Sequence, residues 1–250
     1  HKGNICELSD IADLIPQFDA VINFAAESHV DNSITNPSDF LKTNIIGLHE
    51  ILNVILKSNK NIRLIHISTD EVYGSIKEGS WSENSILLPN SPYAASKAGG
   101  ELMLRSYVNT FGLDFLVTRC SNNYGPYQFP EKLIPRFVTN LLSNKKVSLY
   151  GDGKNIRDWL HVYDHCDAIY QVLLNGLSGE IYNIGGGVEL SNFELTQIIL
   201  EIMKIDSSQI EFVEDRKGHD FRYSVDWRKI RDKIGYSPKV DFETGIVDTI

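Results

Sequence analysis

Cysteine is scarce in this sequence, acidic residues outnumber basic ones, and long apolar runs are missing. The three cysteines, Cys6, Cys120 and Cys166, form no Cys-x-x-Cys pair, which argues against a disulfide framework and predicts a reducing, cytoplasmic location. The formal net charge of −9 disfavours nucleic-acid binding, which usually requires a basic face. No apolar run reaches the roughly 18 residues that a membrane-spanning helix needs. We therefore expect a globular protein with no nucleic-acid or membrane partner.

Short apolar segments alternate with amphipathic ones through the first half of the chain. Ser91 is a suitable helix N-cap, Pro92 suits the first helical position, and Gly112 suits the helix end. Alternating strands and helices predict a doubly wound, parallel sheet of the α/β class. The predicted strands and helices lie, in chain order, at 19–26 (strand), 36–59 (helix), 61–68 (strand), 91–112 (helix) and 113–119 (strand).

The sequence changes character after residue 120, where loops with proline and glycine replace the regular alternation. Short strands and helices then mix up to the last residue. This change predicts a sheet domain followed by a smaller mixed lobe that is interleaved with it. We place the sheet domain at 1–121 with 156–183, and the smaller lobe at 122–155 with 184–250.

Polar residues follow three of the predicted strands, in the stretches 25–29, 68–71 and 119–123. Ligands of open parallel sheets bind beyond the carboxyl ends of the strands, so these stretches are candidates for a ligand site. Polar residues also begin ordinary loops, which is the alternative for any one stretch. The convergence of three such stretches favours a site.

Tyr93 and Lys97 form a second candidate pair. A spacing of four residues places both side chains on one face of a helix. A nearby ammonium stabilises phenolate and lowers the pKa of tyrosine from its reference value near 10, so that the tyrosine can act as a base. The Tyr-x-x-x-Lys pattern alone is common by chance, but here it opens a helix in the segment after the "STDE" strand end.

Five polar or glycine-containing motifs follow one another along the chain. They are "STDEVYG" (68–74), "SPYAASKAGGE" (91–101), "TRCSNNYGPYQFPEKLIP" (118–135), "GDGKNIRDWLHVYDH" (151–165) and "GHDFRYSVD" (218–226). They occur in the same order in the dTDP-glucose 4,6-dehydratases, a family of the extended short-chain dehydrogenase/reductase superfamily, which the chain resembles over nearly all of its 250 residues. Tyr-x-x-x-Lys marks the superfamily, whereas the Thr-Asp-Glu run and "IRDWL" are more specific to the dehydratases.

The resemblance implies that NAD oxidises a nucleotide-linked glucose at C4, that water leaves across C5 and C6, and that the hydride returns to C6. Tyr93 would take the C4 hydroxyl proton, Thr69 would bind that oxygen, and Lys97 would tune Tyr93. Glu71 resembles the base that removes the C5 proton, and Asp70 the acid for the departing C6 hydroxyl. Two adjacent carboxyls can divide these roles only where their environments differ. The alternative is a solvated turn.

The resemblance also implies two sets of binding residues. In this interpretation the sheet domain binds NAD and the smaller lobe binds dTDP-glucose. Alternatives are turn formation for the asparagines and surface or packing roles for the arginines, for Thr43 and for His219. The implied NAD contacts are Asn4, Ile5, Phe24, Ala25, Ala26, Glu27, Ser28, Thr43, Tyr93, Lys97 and Asn123. The implied substrate contacts are Ser28, Thr69, Asn122, Lys132, Leu133, Ser148, Leu149, Tyr150, Arg157, Asn183, Arg216 and His219.

The sequence departs from the family pattern near its start. No Gly-x-x-Gly-x-x-Gly stretch follows a strand there, although this loop holds the NAD pyrophosphate in the family. Asn4 stands where the family usually has an acid, and Lys217 where it usually has proline. We expect the chain to be an incomplete portion of an enzyme that lacks the N-terminal βαβ unit, and to bind NAD poorly by itself.

Other functions remain open at this point. A UDP-sugar 4,6-dehydratase, a nucleotide-sugar epimerase or a decarboxylase would share the superfamily motifs, but an epimerase needs neither a C5 base nor a C6 acid. A non-catalytic nucleotide-sugar-binding protein is an alternative of a different class. No His, Cys, Asp or Glu cluster has metal-ligand spacing, so we expect no metal. By the same resemblance we expect a homodimer formed by a four-helix bundle of segments 36–59 and 91–112.

Overall fold

The computed structural model describes all 250 residues, which form an α/β fold. The strands are β1 (Ala20–Asn23), β2 (Arg63–Thr69), β3 (Phe115–Cys120), β4 (Asn122–Tyr124), β5 (Val147–Tyr150), β6 (Ile156–His161), β7 (Ile181–Ile184), β8 (Glu189–Ser191) and β9 (Ile210–Val213). The α-helices are α1 (Leu8–Ile11), α2 (Val30–Thr35), α3 (Pro37–Leu41), α4 (Leu48–Lys57), α5 (Pro92–Phe111), α6 (Leu133–Leu142), α7 (Val162–Asn175), α8 (Asn192–Met203), α9 (Arg228–Ile234) and α10 (Phe242–Thr249).

A four-stranded sheet in the order β1-β2-β3-β7 confirms the predicted parallel, Rossmann-like architecture. Strand β1 runs parallel to β2, with Ala20 opposite Arg63 and Asn23 opposite His66. All residues of β2 after Arg63 are buried, as expected for a central strand covered on both faces. In the two smaller sheets, β6 lies between β4 and β8, and β5 pairs with β9.

Helix α5 has the ends that the sequence predicts. The Ser91 hydroxyl accepts a hydrogen bond from the backbone N–H of Ala94 at 3.1 Å, and Pro92 occupies the first helical position. Gly112 ends the helix with a φ of +71°, a left-handed conformation that costs glycine little. The predicted helix at 36–59 is formed by α3 and α4, which a π-helical segment, Lys42–Gly47, joins.

The chain divides into two compact units. The first unit comprises residues 1–74, 83–119 and 171–183, and the second comprises 75–82, 120–170 and 184–250. Sequence analysis assigned 156–170 to the sheet domain, whereas these residues belong to the second unit. The reason is that β6 pairs with β4 and β8 and not with the four-stranded sheet. The cofactor and substrate roles of the two units stay predictions.

Each unit has its own apolar core. In the first unit, residues of α4 and β2, such as Leu48, Leu52 and Leu64, are at most 1% exposed. In the second unit, Ile134 of α6 and Leu195 of α8 are fully buried. None of the helices is both long and apolar enough to cross a membrane.

Candidate active site

An acidic turn follows the carboxyl end of β2 in the first unit. We use this name for residues 69–74, which contain a 3₁₀ turn, Asp70–Tyr73. The Thr69 hydroxyl accepts from the backbone N–H of Glu71 at 3.3 Å and donates to Asp70 Oδ1 at 3.2 Å. Gly74 ends the turn with φ +75° and ψ −167°, a region that is essentially restricted to glycine.

The two carboxyls of the turn have different surroundings. Asp70 is 3% exposed, whereas Glu71 is only partly buried. Burial disfavours a charged carboxylate, and solvent contact favours it. The turn therefore offers the two environments that a division into proton donor and proton acceptor requires.

Tyr93 and Lys97 lie in the first turns of α5, and both are buried. Lys97 Nζ donates to the backbone oxygen of Ile67 at 2.6 Å, so its ammonium is held two residues before Thr69. The Tyr93 ring meets Phe40 edge-on, with 6.2 Å between the ring centroids. The structure thus brings Lys97 to the strand end that carries the acidic turn.

Burial and the Lys97 ammonium act together on His66, which lies next to Ile67 in β2. Both hold the pKa of His66 well below its ordinary value, so this histidine is neutral. Its Nδ1 lies 3.4 Å from the Asn23 side-chain nitrogen of the neighbouring strand. His66 therefore adds no positive charge beside the Lys97 ammonium.

A loop at the carboxyl end of β1, residues 24–28, is predicted to contact NAD. Phe24 is 55% exposed, and the Ala25, Glu27 and Ser28 side chains are exposed as well. Asn44 holds this loop through the Glu27 backbone: its Oδ1 accepts from the N–H at 2.9 Å, and its Nδ2 donates to the carbonyl at 3.0 Å. The loop thus presents exposed groups on a fixed backbone.

Asn44 also connects this loop to α5. Its Nδ2 donates to Ser96 Oγ at 2.8 Å, and Ser96 in turn donates to the backbone oxygen of Tyr93 at 2.7 Å. An exposed, ordered loop and the Lys97 ammonium suit a flat ring and a sugar with hydroxyl oxygens. The residues present therefore fit the nicotinamide and ribose half of NAD.

The remaining predicted NAD contacts of the first unit lie near the start of the chain and in the π-helical segment. Asn4 Oδ1 accepts from the backbone N–H of Cys6 at 3.0 Å in a local turn. Ile5 packs so closely on Gly47 that a Cβ at that glycine would lie 2.6 Å from the Ile5 side chain. Thr43 is half-buried in the π-helical segment, a distortion common at functional sites.

A second group of predicted residues lies in the second unit. His219 Nδ1 is 2.6 Å from Asp215 Oδ1, and the Tyr150 ring lies edge-on to His219. Burial, then the cations of Arg216 and Arg157, lower the pKa of His219 to about 4 against the opposing effect of Asp215. The structure therefore gathers these two arginines and a neutral histidine, as expected for an anion-binding site.

Arg157 differs from the expectation in its contacts. Its guanidinium donates to the backbone oxygens of Ile156 at 2.6 Å and Asp220 at 3.0 Å, and lies 4.3 Å from the centroid of the Tyr223 ring. The side chain is buried and holds the chain around Asp220 in place. Its role as a diphosphate ligand stays a prediction.

Other predicted substrate residues have structural partners as well. Leu149 is 2% exposed in the second core, and Asn183 is fully buried with its Oδ1 accepting from Tyr73 at 2.8 Å. Asn123 Nδ2 donates to the backbone oxygen of Ser121 at 3.0 Å. Lys132, the N-cap of α6, lies 3.3 Å from Glu131. The positions of the others are Asn122 in β4, Leu133 as the first residue of α6, and Ser148 in β5.

Sequence reasoning missed a buried ion pair between Glu101 and Arg119, whose side chains are both 4% exposed. Glu101 lies four residues after Lys97, on the helix face that Tyr93 and Lys97 share. An acid at that position was the available signal. No group of three or more His, Cys, Asp or Glu side chains in the structure could hold a metal ion.

Comparisons of the sequence identify related proteins. A family model described as GDP-mannose 4,6 dehydratase matches residues 1–249. A dTDP-glucose 4,6-dehydratase of an Actinoplanes species is 53% identical over 249 residues, which cover 100% of this chain and 78% of that protein. A dTDP-glucose 4,6-dehydratase of Streptomyces niveus is 51% identical, and the match covers 100% of this chain and 74% of that protein.

Solved structures share the fold. The structure of DesIV, a dTDP-glucose 4,6-dehydratase from Streptomyces venezuelae with NAD and TYD bound, has a TM-score of 0.97 at 53% identity, covering 99% of this chain and 76% of that chain. A UDP-glucose 4-epimerase from Thermotoga maritima has a TM-score of 0.92 at 28% identity, covering 100% of this chain and 82% of that chain. The fold is thus common to both activities, and the higher sequence identity is with the dehydratase.

Proposed function

The chain belongs to the family of nucleotide-sugar 4,6-dehydratases, and from this premise we propose that it catalyses the NAD-dependent dehydration of dTDP-glucose. The product is dTDP-4-keto-6-deoxyglucose. The observation that carries the proposal is the acidic turn, in which two carboxyls of different burial follow the strand end that holds the Lys97 ammonium.

Residues at the ends of β1 and β2 would hold the cofactor. Bound NAD would supply the hydride chemistry, which is oxidation at C4 of the sugar and reduction at C6. The loop at 24–28, fixed by Asn44, would lie along the cofactor, and Lys97 would bind the nicotinamide ribose. Asn4, Ile5, Thr43 and Asn123 complete the proposed set.

Two residues of α5 would carry out the first proton transfer. Tyr93 takes the proton of the C4 hydroxyl, and the ammonium of Lys97 favours the phenolate form that can do so. Thr69 would donate a hydrogen bond to the C4 oxygen, from a hydroxyl that lies 3.2 Å from Asp70 Oδ1.

The two carboxyls of the acidic turn would carry out the elimination of water. A carbonyl at C4 makes the C5 proton acidic, and Glu71, the more exposed carboxyl, removes it. Asp70, the buried carboxyl, gives its proton to the departing C6 hydroxyl, which leaves as water. Placing both groups in one short turn allows them to act on neighbouring carbon atoms.

Residues of the second unit would bind the nucleotide. Arg157 and Arg216, whose cations both act on the pKa of His219, would clamp the diphosphate, and His219 would contact the substrate beside them. Arginine suits such contacts because its guanidinium donates two parallel hydrogen bonds. The remaining proposed substrate contacts are Ser28, Asn122, Lys132, Leu133, Ser148, Leu149, Tyr150 and Asn183.

Mass spectrometry of the nucleotide sugar tests the proposal. After incubation of the protein with dTDP-glucose and NAD, we expect the sugar nucleotide to lose the mass of one water. An epimerase would leave the mass unchanged and alter only the stereochemistry. A binding protein would change neither, and either outcome would refute the dehydratase assignment.

Tyr93→Phe tests the catalytic role of this tyrosine. Loss of the base should lower the rate by about 10²–10⁴-fold. The matched control is Tyr170→Phe, which removes a hydroxyl from a side chain that is 55% exposed. The control should retain turnover, and equal activity of Tyr93→Phe would contradict the mechanism.

We further infer a homodimer formed through the helices that flank β2. Leu41, Ile46, Leu102 and Phe111 lie on the helical run 37–57 and on α5, and each is 48% to 58% exposed. Exposed apolar residues on both helices suit a four-helix bundle with a second copy. Light scattering should give the mass of a dimer, and Leu102→Glu should shift it to that of a monomer. A monomeric parent protein would refute this inference.

A cytoplasmic location completes the proposal. Its support is that all three cysteines, Cys6, Cys120 and Cys166, are free thiols. Fractionation of the source cells should recover the protein with the cytoplasmic contents.

A further inference from the structure

A buried ion pair lies below the acidic turn in the first unit. Arg119 Nη2 in β3 lies 2.5 Å from Glu101 Oε2 in α5, and Arg119 Nε lies 3.1 Å and 3.0 Å from the two carboxylate oxygens. Burial opposes the charge on Arg119, but the Glu101 carboxylate outweighs it and raises the pKa of the guanidinium. The guanidinium therefore stays charged in the interior.

Each member of the pair contacts one end of the acidic turn. The Ser68 hydroxyl, one residue before the turn, donates to Glu101 Oε1. Arg119 Nη1 donates to the Tyr73 hydroxyl at 2.6 Å, and its guanidinium carbon lies 4.7 Å from the centroid of the Tyr73 ring. One ion pair therefore holds the chain on both sides of Asp70 and Glu71.

The contacts continue beyond Tyr73. Its hydroxyl donates to Asn183 Oδ1 at 2.8 Å, and the Asn183 backbone N–H donates to Glu83 Oε1 at 3.0 Å. Burial raises the pKa of Tyr73 to about 12 despite the opposing effect of Arg119, so the phenol stays protonated and can donate. The hydrogen bonds are therefore donated in one direction, from Arg119 to Tyr73 and from Tyr73 to Asn183.

A contribution to stability does not by itself explain why a buried ion pair occupies this position. Desolvation of two buried charges offsets much of their attraction, and apolar residues of similar volume often serve a core equally well. Directional hydrogen bonds, by contrast, fix positions. Reaction rates depend on such positions, because a displacement of about 1 Å can cost about 10²-fold.

We propose that Glu101 and Arg119 are positioning residues for the elimination step, acting through Ser68 and Tyr73 on the orientation of Asp70 and Glu71. This inference rests on the proposed dehydratase function. None of the hydrogen bonds described above joins Glu101 or Arg119 to Tyr93 or Lys97. Loosening the network should therefore slow the elimination more than the oxidation at C4.

Ser68→Ala and Tyr73→Phe test this proposal with small deletions. Each removes one hydroxyl that joins the pair to the turn and leaves the pair itself intact. The control is Tyr182→Phe, which removes a buried hydroxyl from β7 that accepts from the backbone N–H of Leu177 at 3.2 Å. Tyr182 immediately precedes Asn183 in the strand, and the hydrogen-bond donor to its hydroxyl, Leu177, lies outside the turn.

Kinetic isotope effects separate the two chemical steps. The full protein with bound NAD is supplied with dTDP-glucose carrying deuterium at C4 or at C5. In both variants we expect kcat to fall by about 10- to 100-fold, with KM changed by less than about twofold. The C5 isotope effect on kcat should rise and the C4 effect should fall. The control should keep the parent values.

Amide hydrogen exchange of the protein without substrate provides a readout that needs no turnover. Residues 69–74 should exchange at least about tenfold faster in both variants than in the parent, with no such change in the control. A fall in kcat with unchanged isotope effects, or unchanged exchange at the turn, would refute the positioning role. If the parent made no product, the proposed function would fail, while the exchange experiment would still decide whether the pair orders the turn.

Discussion

His165 gives the second unit a measurable sensitivity to acid. This residue of α7 is 5% exposed, and burial lowers its pKa to about 4. An unfolded chain binds the proton at about pH 6.5. The stabilising contribution of neutral His165 is therefore complete above about pH 6.5 and is lost progressively as the pH falls towards about 4.

The size of the effect follows from the two pKa values. The pKa of His165 is about 4 in the folded state and about 6.5 in the unfolded state. Its contribution to the free energy of unfolding therefore falls by about 2 kcal/mol between about pH 7 and about pH 5. His219, with its pKa also near 4, adds to the loss in the same direction. His165→Gln should therefore remove about 2 kcal/mol of the acid dependence and leave the rest.

Tryptophan fluorescence suits this measurement. Trp81, Trp159 and Trp227 all lie in the second unit, the unit that contains His165. Urea unfolding at the two pH values gives the difference in free energy within each protein, so packing losses common to both values cancel. Thr196→Val is the control, since it removes a buried hydroxyl that binds no proton. An unchanged acid dependence in His165→Gln would refute the reasoning.

Three further predictions concern the first unit. Gly74→Ala should lower the free energy of unfolding by about 3 kcal/mol or more. The φ and ψ of Gly74 fall in a region essentially restricted to glycine, and a Cβ there would lie 2.3 Å from a backbone oxygen. The control is Gly79→Ala in the second unit, where φ is +74° and a Cβ would meet no atom within 4 Å, so the loss of unfolding free energy should be only about 1–2 kcal/mol. Equal losses in urea unfolding would contradict this. Arg119→Met leaves the Glu101 carboxylate buried without its cation and should lower the free energy of unfolding by about 3–5 kcal/mol. The double variant Arg119→Met, Glu101→Leu should lose less, because no buried charge is left. A larger loss in the double variant would exclude the unpaired carboxylate as the cause. Asn44→Ala should weaken NAD binding by about tenfold, or about 1.4 kcal/mol, in calorimetric titration; unchanged affinity would mean that Asn44 does not order the 24–28 loop.

Features with local causes were predictable from the sequence. The ends of α5 follow from Ser91, Pro92 and Gly112, whose effects need no distant partner. The four-residue spacing of Tyr93 and Lys97 likewise depends only on helix geometry. The polar stretch after β2 was recognisable because an apolar strand ends there.

Features with distant causes were not predictable. Strand β6 was placed in the sheet domain because its own sequence does not reveal that β4 and β8 are its neighbours. The contacts among Ser68, Glu101 and Arg119 depend on how a strand and a helix far apart in the chain pack together. The contact of the Arg157 guanidinium with the backbone oxygen of Asp220 also depends on how distant segments pack, and the role of Arg157 as a diphosphate ligand stays a prediction.

The division of the chain into two units has a consequence for how such a protein can be rebuilt. Each unit consists of three segments, and because these alternate along the chain, the polypeptide passes from one unit to the other five times. Neither unit can therefore be transplanted as one continuous gene fragment. New substrate preferences in such a protein arise more readily by substitutions within the existing segments, since exchange of a single continuous cassette would interrupt the other unit.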